Sequence, residues 1–142
     1  MKIKILLAGL VLLALAAVAT EARAQVAVIA HPSVAATSAS AAEVRALFTL
    51  SKKTWSDGAK VVVFDLKADG PVKSAFQKFI GASTTELRKE WMRLQLTGQG
   101  QPPEAMDSEE ALLAKVAATP GAIGYVSAAR VDGRVRVLAT IK

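Results

Sequence analysis

The segment KVVVFDL, Lys60 to Leu66, restricts the fold more than any other stretch of this chain. Its apolar residues run on without polar alternation, so a strand built from them hides both of its faces. A sheet covered on one side only would place polar residues at every second position. The run therefore requires a mixed or parallel sheet sandwiched by helices, an α/β architecture.

The helices that would cover such a sheet are announced by their starts. Ser40 and Glu43 have the spacing of a capping box, with Val44, Leu47 and Phe48 at i, i+3 and i+4, which predicts a helix from Ala41 to near Leu50. Pro71 suits a first helical turn; Val72, Phe76, Phe79 and Ile80 then share a face, and Gly81 ends the segment. A second capping box, Ser83 to Glu86, opens a helix with Leu87, Trp91 and Leu94 turned inward and Arg88, Lys89 and Arg93 facing elsewhere. This periodicity puts Trp91 in the core. Asp107 and Glu110 offer a third box ahead of Leu112, Leu113 and Val116.

Two further strand signals frame these helices. VAVIA, Val26 to Ala30, is a short apolar run rich in β-branched residues and stopped by His31-Pro32. TPGAIGYV, Thr119 to Val126, follows the last helix: Pro120 cannot continue that helix and Gly121 can take the positive φ that ends it. Ala122 to Val126 then re-enter the core, where Gly124 leaves room for a close neighbour. Asp132-Gly133 predicts a hairpin turn into a last strand, in which Val135, Val137, Ala139 and Ile141 alternate with Arg134, Arg136, Leu138 and Thr140. The order is strand, helix, strand, three helices, two strands. TGQGQPPEAM, Thr97 to Met106, reads as a loop, and Trp55 is expected to pack beneath its own Asp57-Gly58 turn.

The first residues belong to a different kind of segment. Lys2 and Lys4 precede an uncharged apolar stretch that ends near Thr20, and Ala22-Arg23-Ala24 supplies small residues at cleavage-site spacing. This is the layout of a secretory signal peptide over residues 1–24, cut after about Ala24, with export to the periplasm and a single domain at 25–142. Setting aside Lys2, Lys4 and Arg23 of the 18 basic residues, and Glu21 of the 12 acidic ones, leaves 15 against 11. A surplus that small does not mark a nucleic-acid binder. With no cysteine and only His31 as histidine, the chain has no disulfide, no thiolate chemistry and no metal-ligand cluster. It also lacks a nucleophile, histidine and carboxylate set or paired carboxylates, so neither catalytic residues nor cofactor or metal sites are expected.

ALFTLSKKTWSDGAKVVVFDL, then DGPVKSAFQKFIG, a helix containing Trp91, and finally TPGAIGYV, together resemble one lobe of the periplasmic phosphate-binding proteins of ABC transporters. The sequence is similar in particular to the short, exported, single-lobe members described as phosphate ABC transporter substrate-binding-like, over about Val26 to Val126. The resemblance implies a periplasmic-binding-protein-like lobe that captures an oxyanion without catalysis, with an ABC transporter as partner. Full-length members close two lobes on the ligand, whereas this chain has length for one. Where they carry an arginine and a Gly-Ser-Gly-Thr-like turn against phosphate, this sequence has LKADGPVKSAF.

Within that stretch, a helix start presents free amides and the positive end of the helix dipole to an anion. Lys67, Gly70, Val72, Lys73 and Ser74 are the candidate ligand-binding residues: a flexible backbone, two amides, a hydroxyl and two ammonium groups. Pro71 removes one donor, and Asp69 adds a carboxylate that repels phosphate unless neutralised. The alternative is a lobe that has lost its ligand and serves as a protein-interaction module in the envelope, its open face covered by self-association or by another protein.

Overall fold

A computed structural model describes residues 25–142. The expected signal peptide, with its cleavage after Ala24, lies outside the described residues. The elements are β1 (Val26–Ala30), α1 (Ala41–Phe48), β2 (Val62–Leu66), α2 (Pro71–Ile80), α3 (Thr84–Leu96), β3 (Glu104–Met106), α4 (Glu109–Ala118), β4 (Ala122–Ser127), a 3-10 turn (Ala128–Arg130) and β5 (Arg136–Ile141). The five strands form one mixed sheet in the order β3-β2-β4-β1-β5. β2 runs parallel to β3 and β4, whereas β1 is antiparallel to both β4 and β5.

Adjacent residues on β4 reveal the two layers. Gly124 faces α4 so closely that a Cβ there would stand 2.6 Å from Leu112 Cδ2 and 3.2 Å from Val116 Cγ2. Tyr125 points the opposite way and stacks on Phe76 of α2, with centroids 3.9 Å apart and planes within 5°. Phe48 of α1 closes that cluster at 4.6 Å from Phe76. Helices therefore cover both faces, as the unbroken apolar run of β2 requires. α3 joins the second layer through Trp91, which is half-buried and donates its indole N–H to Phe48 O at 2.8 Å.

The helix starts follow local chemistry. Ser40 Oγ accepts from Glu43 N, and Ser83 Oγ accepts from Glu86 N, each at 3.2 Å. The third start is shifted by one residue: Ser108, not Asp107, caps α4 by accepting from Ala111 N at 3.1 Å. α1 is shorter than expected, ending at Phe48, and Leu50 beyond it adopts a left-handed φ of 62°.

Three strand expectations are corrected. Asp132-Gly133 makes no hairpin, because β1 lies between β4 and β5 and pairs with both. The simple alternation in β5 also fails: Val28 pairs with Ala139 but Ile29 with Val137, so Leu138 is an extra residue in a bulge and turns into the core. Finally, the stretch read as a loop contains β3, whose three residues extend the sheet beside β2.

Candidate functional site

β2 ends at Leu66 and the chain passes through Lys67–Gly70 into α2, the anion-binding start inferred from the sequence. Gly70 is the N-cap with φ 165°, extended backbone open to any residue, and it makes no side-chain cap bond. Pro71 takes the first helical position. The first helical bond is Ser74 N to Gly70 O at 2.9 Å, so the amides of Val72 and Lys73 find no acceptor among the described residues. The Ser74 side chain is exposed beside them.

The two lysines play different parts. Lys67 is exposed and stands 3.8 Å from Asp107, a link between the loop before α2 and the loop before α4. Lys73 is only 5 % exposed. Its ammonium donates to Leu66 O at 2.9 Å and lies 3.7 Å from the Asp69 carboxylate. Asp69 thus has the neutralising partner that an anion here requires. An ammonium carries three donors, and a single hydrogen bond uses one of them. The burial of Lys73 was open to sequence reading, since it shares a helical face with Phe76 and Ile80 at i+3 and i+7.

Behind Lys73 lies a polar pair absent from the sequence reading. The Tyr125 hydroxyl donates to Asp65 Oδ1 at 2.6 Å, and Leu66 N donates to the same oxygen at 2.9 Å. Burial first, then the Asp65 carboxylate, pushes the Tyr125 phenol far above its ordinary range, so it remains a neutral donor. The signal for the pair was a lone carboxylate inside the apolar run VVVFDL. A small cavity of about 110 Å³ opens between Asp65, Lys73, Gln77, Arg88 and Trp91.

No group of three or more His, Cys, Asp or Glu that could hold a metal occurs among the described residues. Nor is any described helix long and apolar enough to cross a membrane. The start of α2 presents two amides, a hydroxyl and two ammonium groups, the donor types that a helix N-terminus offers to an anion.

Comparisons with known proteins agree with this architecture. The chain superposes on a phosphate ABC transporter substrate-binding protein with bound phosphate from Clostridium perfringens, described as putative in that role, with a TM-score of 0.67 at 21% identity, covering 81% of this chain and 45% of that one. An ABC-type phosphate transport receptor from Vibrio cholerae matches with a TM-score of 0.64 at 16% identity, over 81% of this chain and 46% of the receptor. PstS from Borrelia burgdorferi matches at 0.60 and 15% identity, over 82% and 47%. The chain thus spans less than half the length of these structures. No curated protein matches the sequence. A PBP superfamily domain matches residues 21–140, nearly the whole chain. The chain belongs to the PBP (periplasmic-binding-protein) superfamily domain family, its described residues forming a single α/β lobe with a mixed sheet between helices.

Proposed function

We propose that this lobe binds phosphate or a related oxyanion at the start of α2, outside the cytoplasm and in association with an ABC transporter. The observation that carries the reading is the pair of unpartnered amides, Val72 and Lys73, at the positive end of α2, flanked by Ser74 and by an ammonium with donors to spare. The likeness to a phosphate-bound transport structure supports the choice of anion. Lys67 and Gly70 complete the site, the first as an exposed cation and the second as the point where backbone approaches the ligand.

The test is isothermal titration of phosphate, and separately of sulfate, into the purified protein. Saturable heat that weakens in Lys73→Met, which keeps a long buried stem but removes the charge, supports the site. Lys67→Ala weakens binding less, because its ammonium is exposed and already faces Asp107. No heat at millimolar ligand with the native fold intact overturns the reading.

A second reading is an envelope interaction module on the same fold. Met92 and Leu96 favour it: they are 61 % and 81 % exposed one helical turn apart on α3. Light scattering that finds a monomer, together with no partner retained by the protein in its native envelope, rejects it.

A further inference from the structure

A cleft larger than the cavity beside Lys73 lies away from the start of α2, at the opposite end of β2. It is a cleft of about 780 Å³ beside the sheet edge. Its origin can be traced to two prolines. β3 pairs with β2 only from Phe64 onward, and the residues preceding β3 are Pro102 and Pro103. Proline has no amide hydrogen, so the chain there cannot extend the ladder along Val62 and Val63. The edge of β2 is left uncovered, and Val61, Val62 and Val63 become an apolar floor.

Leu50 forms part of the wall and holds a φ of 62°. That conformation costs an L-residue with a bulky side chain on the order of 1 kcal/mol, which the surrounding structure must sustain. Four ammonium groups stand around this apolar surface: Lys52, Lys53, Lys60 and Lys115. The single carboxylate of the lining, Glu104, lies 4.0 Å from Lys115. Lys53 donates to Gln99 O. Among the described residues Lys52 and Lys60 make no ion pair.

We propose that this cleft binds a small organic anion with an apolar body and a carboxylate or sulfonate head. The floor selects the body, since burying apolar surface is favourable by about 25 cal/mol per Å². The surplus of positive charge selects the head. An inorganic oxyanion would leave the floor unused and most of the cleft filled with water. The volume lies within the range of pockets that take small molecules, roughly 300–1,000 Å³. This site is separate from the start of α2, and its success or failure is independent of phosphate binding there.

Anilinonaphthalene sulfonate, an aromatic body with one sulfonate, is the probe. Its fluorescence is titrated with the purified, folded protein, and the bound probe is then challenged with decanoate, decanol and inorganic phosphate. Saturable enhancement is expected, displaced by decanoate at concentrations where decanol and phosphate have little effect. The double variant Lys52→Glu, Lys60→Glu should weaken the probe at least ~10-fold, because attraction at two positions becomes repulsion. Lys52→Arg with Lys60→Arg should retain it, and Lys78→Glu, on the exposed side of α2, should change it less than about twofold. The proposal is overturned if there is no saturable enhancement, if Lys78→Glu weakens binding as much as the double variant, or if decanol or phosphate displaces the probe as well as decanoate does.

Discussion

The two ends of β2 handle polar groups in opposite ways. Near Leu66 they are turned inward: Tyr125 donates to Asp65, and Lys73 donates to Leu66 O under a roof of aromatic rings. Near Val62 the polar side chains stand outside, while the backbone is locked by one tight crossing. Gly121 O accepts both Val62 N at 3.1 Å and Trp55 Nε1 at 2.9 Å, and Gly121 N donates to Ser33 Oγ at 3.2 Å. The first end is held by buried side chains, the second by backbone geometry. Substitutions at each end should therefore fail for different reasons.

The largest effect is expected from Gly121→Ala. Its φ is 79°, and a Cβ would stand 2.3 Å from the backbone oxygen of Lys60, which cannot swing aside. A loss of about 3 kcal/mol in a denaturant titration is expected. Near-native stability would show that the crossing is not the lock. At the other end, Tyr125→Phe keeps the ring stack but removes one of the two donors to Asp65 Oδ1, and should cost ~1–3 kcal/mol.

The same tyrosine predicts an alkaline signature. Its phenol has a folded pKa raised above the ordinary value near ~10, so its contribution is intact below pH ~10 and declines as the pH rises beyond it. As the chain has one tyrosine, phenolate absorbance should appear only together with unfolding. Ionisation near pH ~10 in a chain still folded by circular dichroism would break the assignment. Tyr125→Phe should remove this component from the pH profile.

Trp55→Phe comes next, at about 1 kcal/mol, because the indole bond to Gly121 O is lost while Val62 N still serves that oxygen. The smallest effect sharpens the contrast. Gly70→Ala sits on extended backbone with nothing within 4 Å of the new Cβ, and should cost only about 0.5 kcal/mol, for the poorer N-cap. A large loss there would mean that the α2 start is as tightly enclosed as the Gly121 crossing.

What could be read in the sequence was what neighbouring residues decide. The caps at Ser40 and Ser83, Pro71 at a helix start and the turn at Gly121 each depend on a few adjacent positions. The cap of α4 slipped because Asp107 and Ser108 are adjacent candidates, and only the fold chooses between them. The partner of β5 was hidden since β1, more than a hundred residues earlier, enters between β4 and β5, and an Asp-Gly turn carries no record of that. At the candidate site, the amides of Val72 and Lys73 follow from the helix start itself. The Asp65–Tyr125 pair joins residues sixty positions apart and needed the sheet order to bring them together. Trp55 was expected beneath its own turn; it is buried, but its polar end is spent on Gly121, sixty-six residues away.

Pro102 and Pro103 have one more consequence. An open sheet invites a strand from a neighbouring chain to continue it, the first step towards uncontrolled stacking. Here one border is a three-residue strand entered through two residues that cannot donate, and the other is kinked at Leu138 and carries Arg136. Both outer strands thus carry features that discourage edge-to-edge pairing, in a chain that spans less than half of the phosphate-transport structures it resembles.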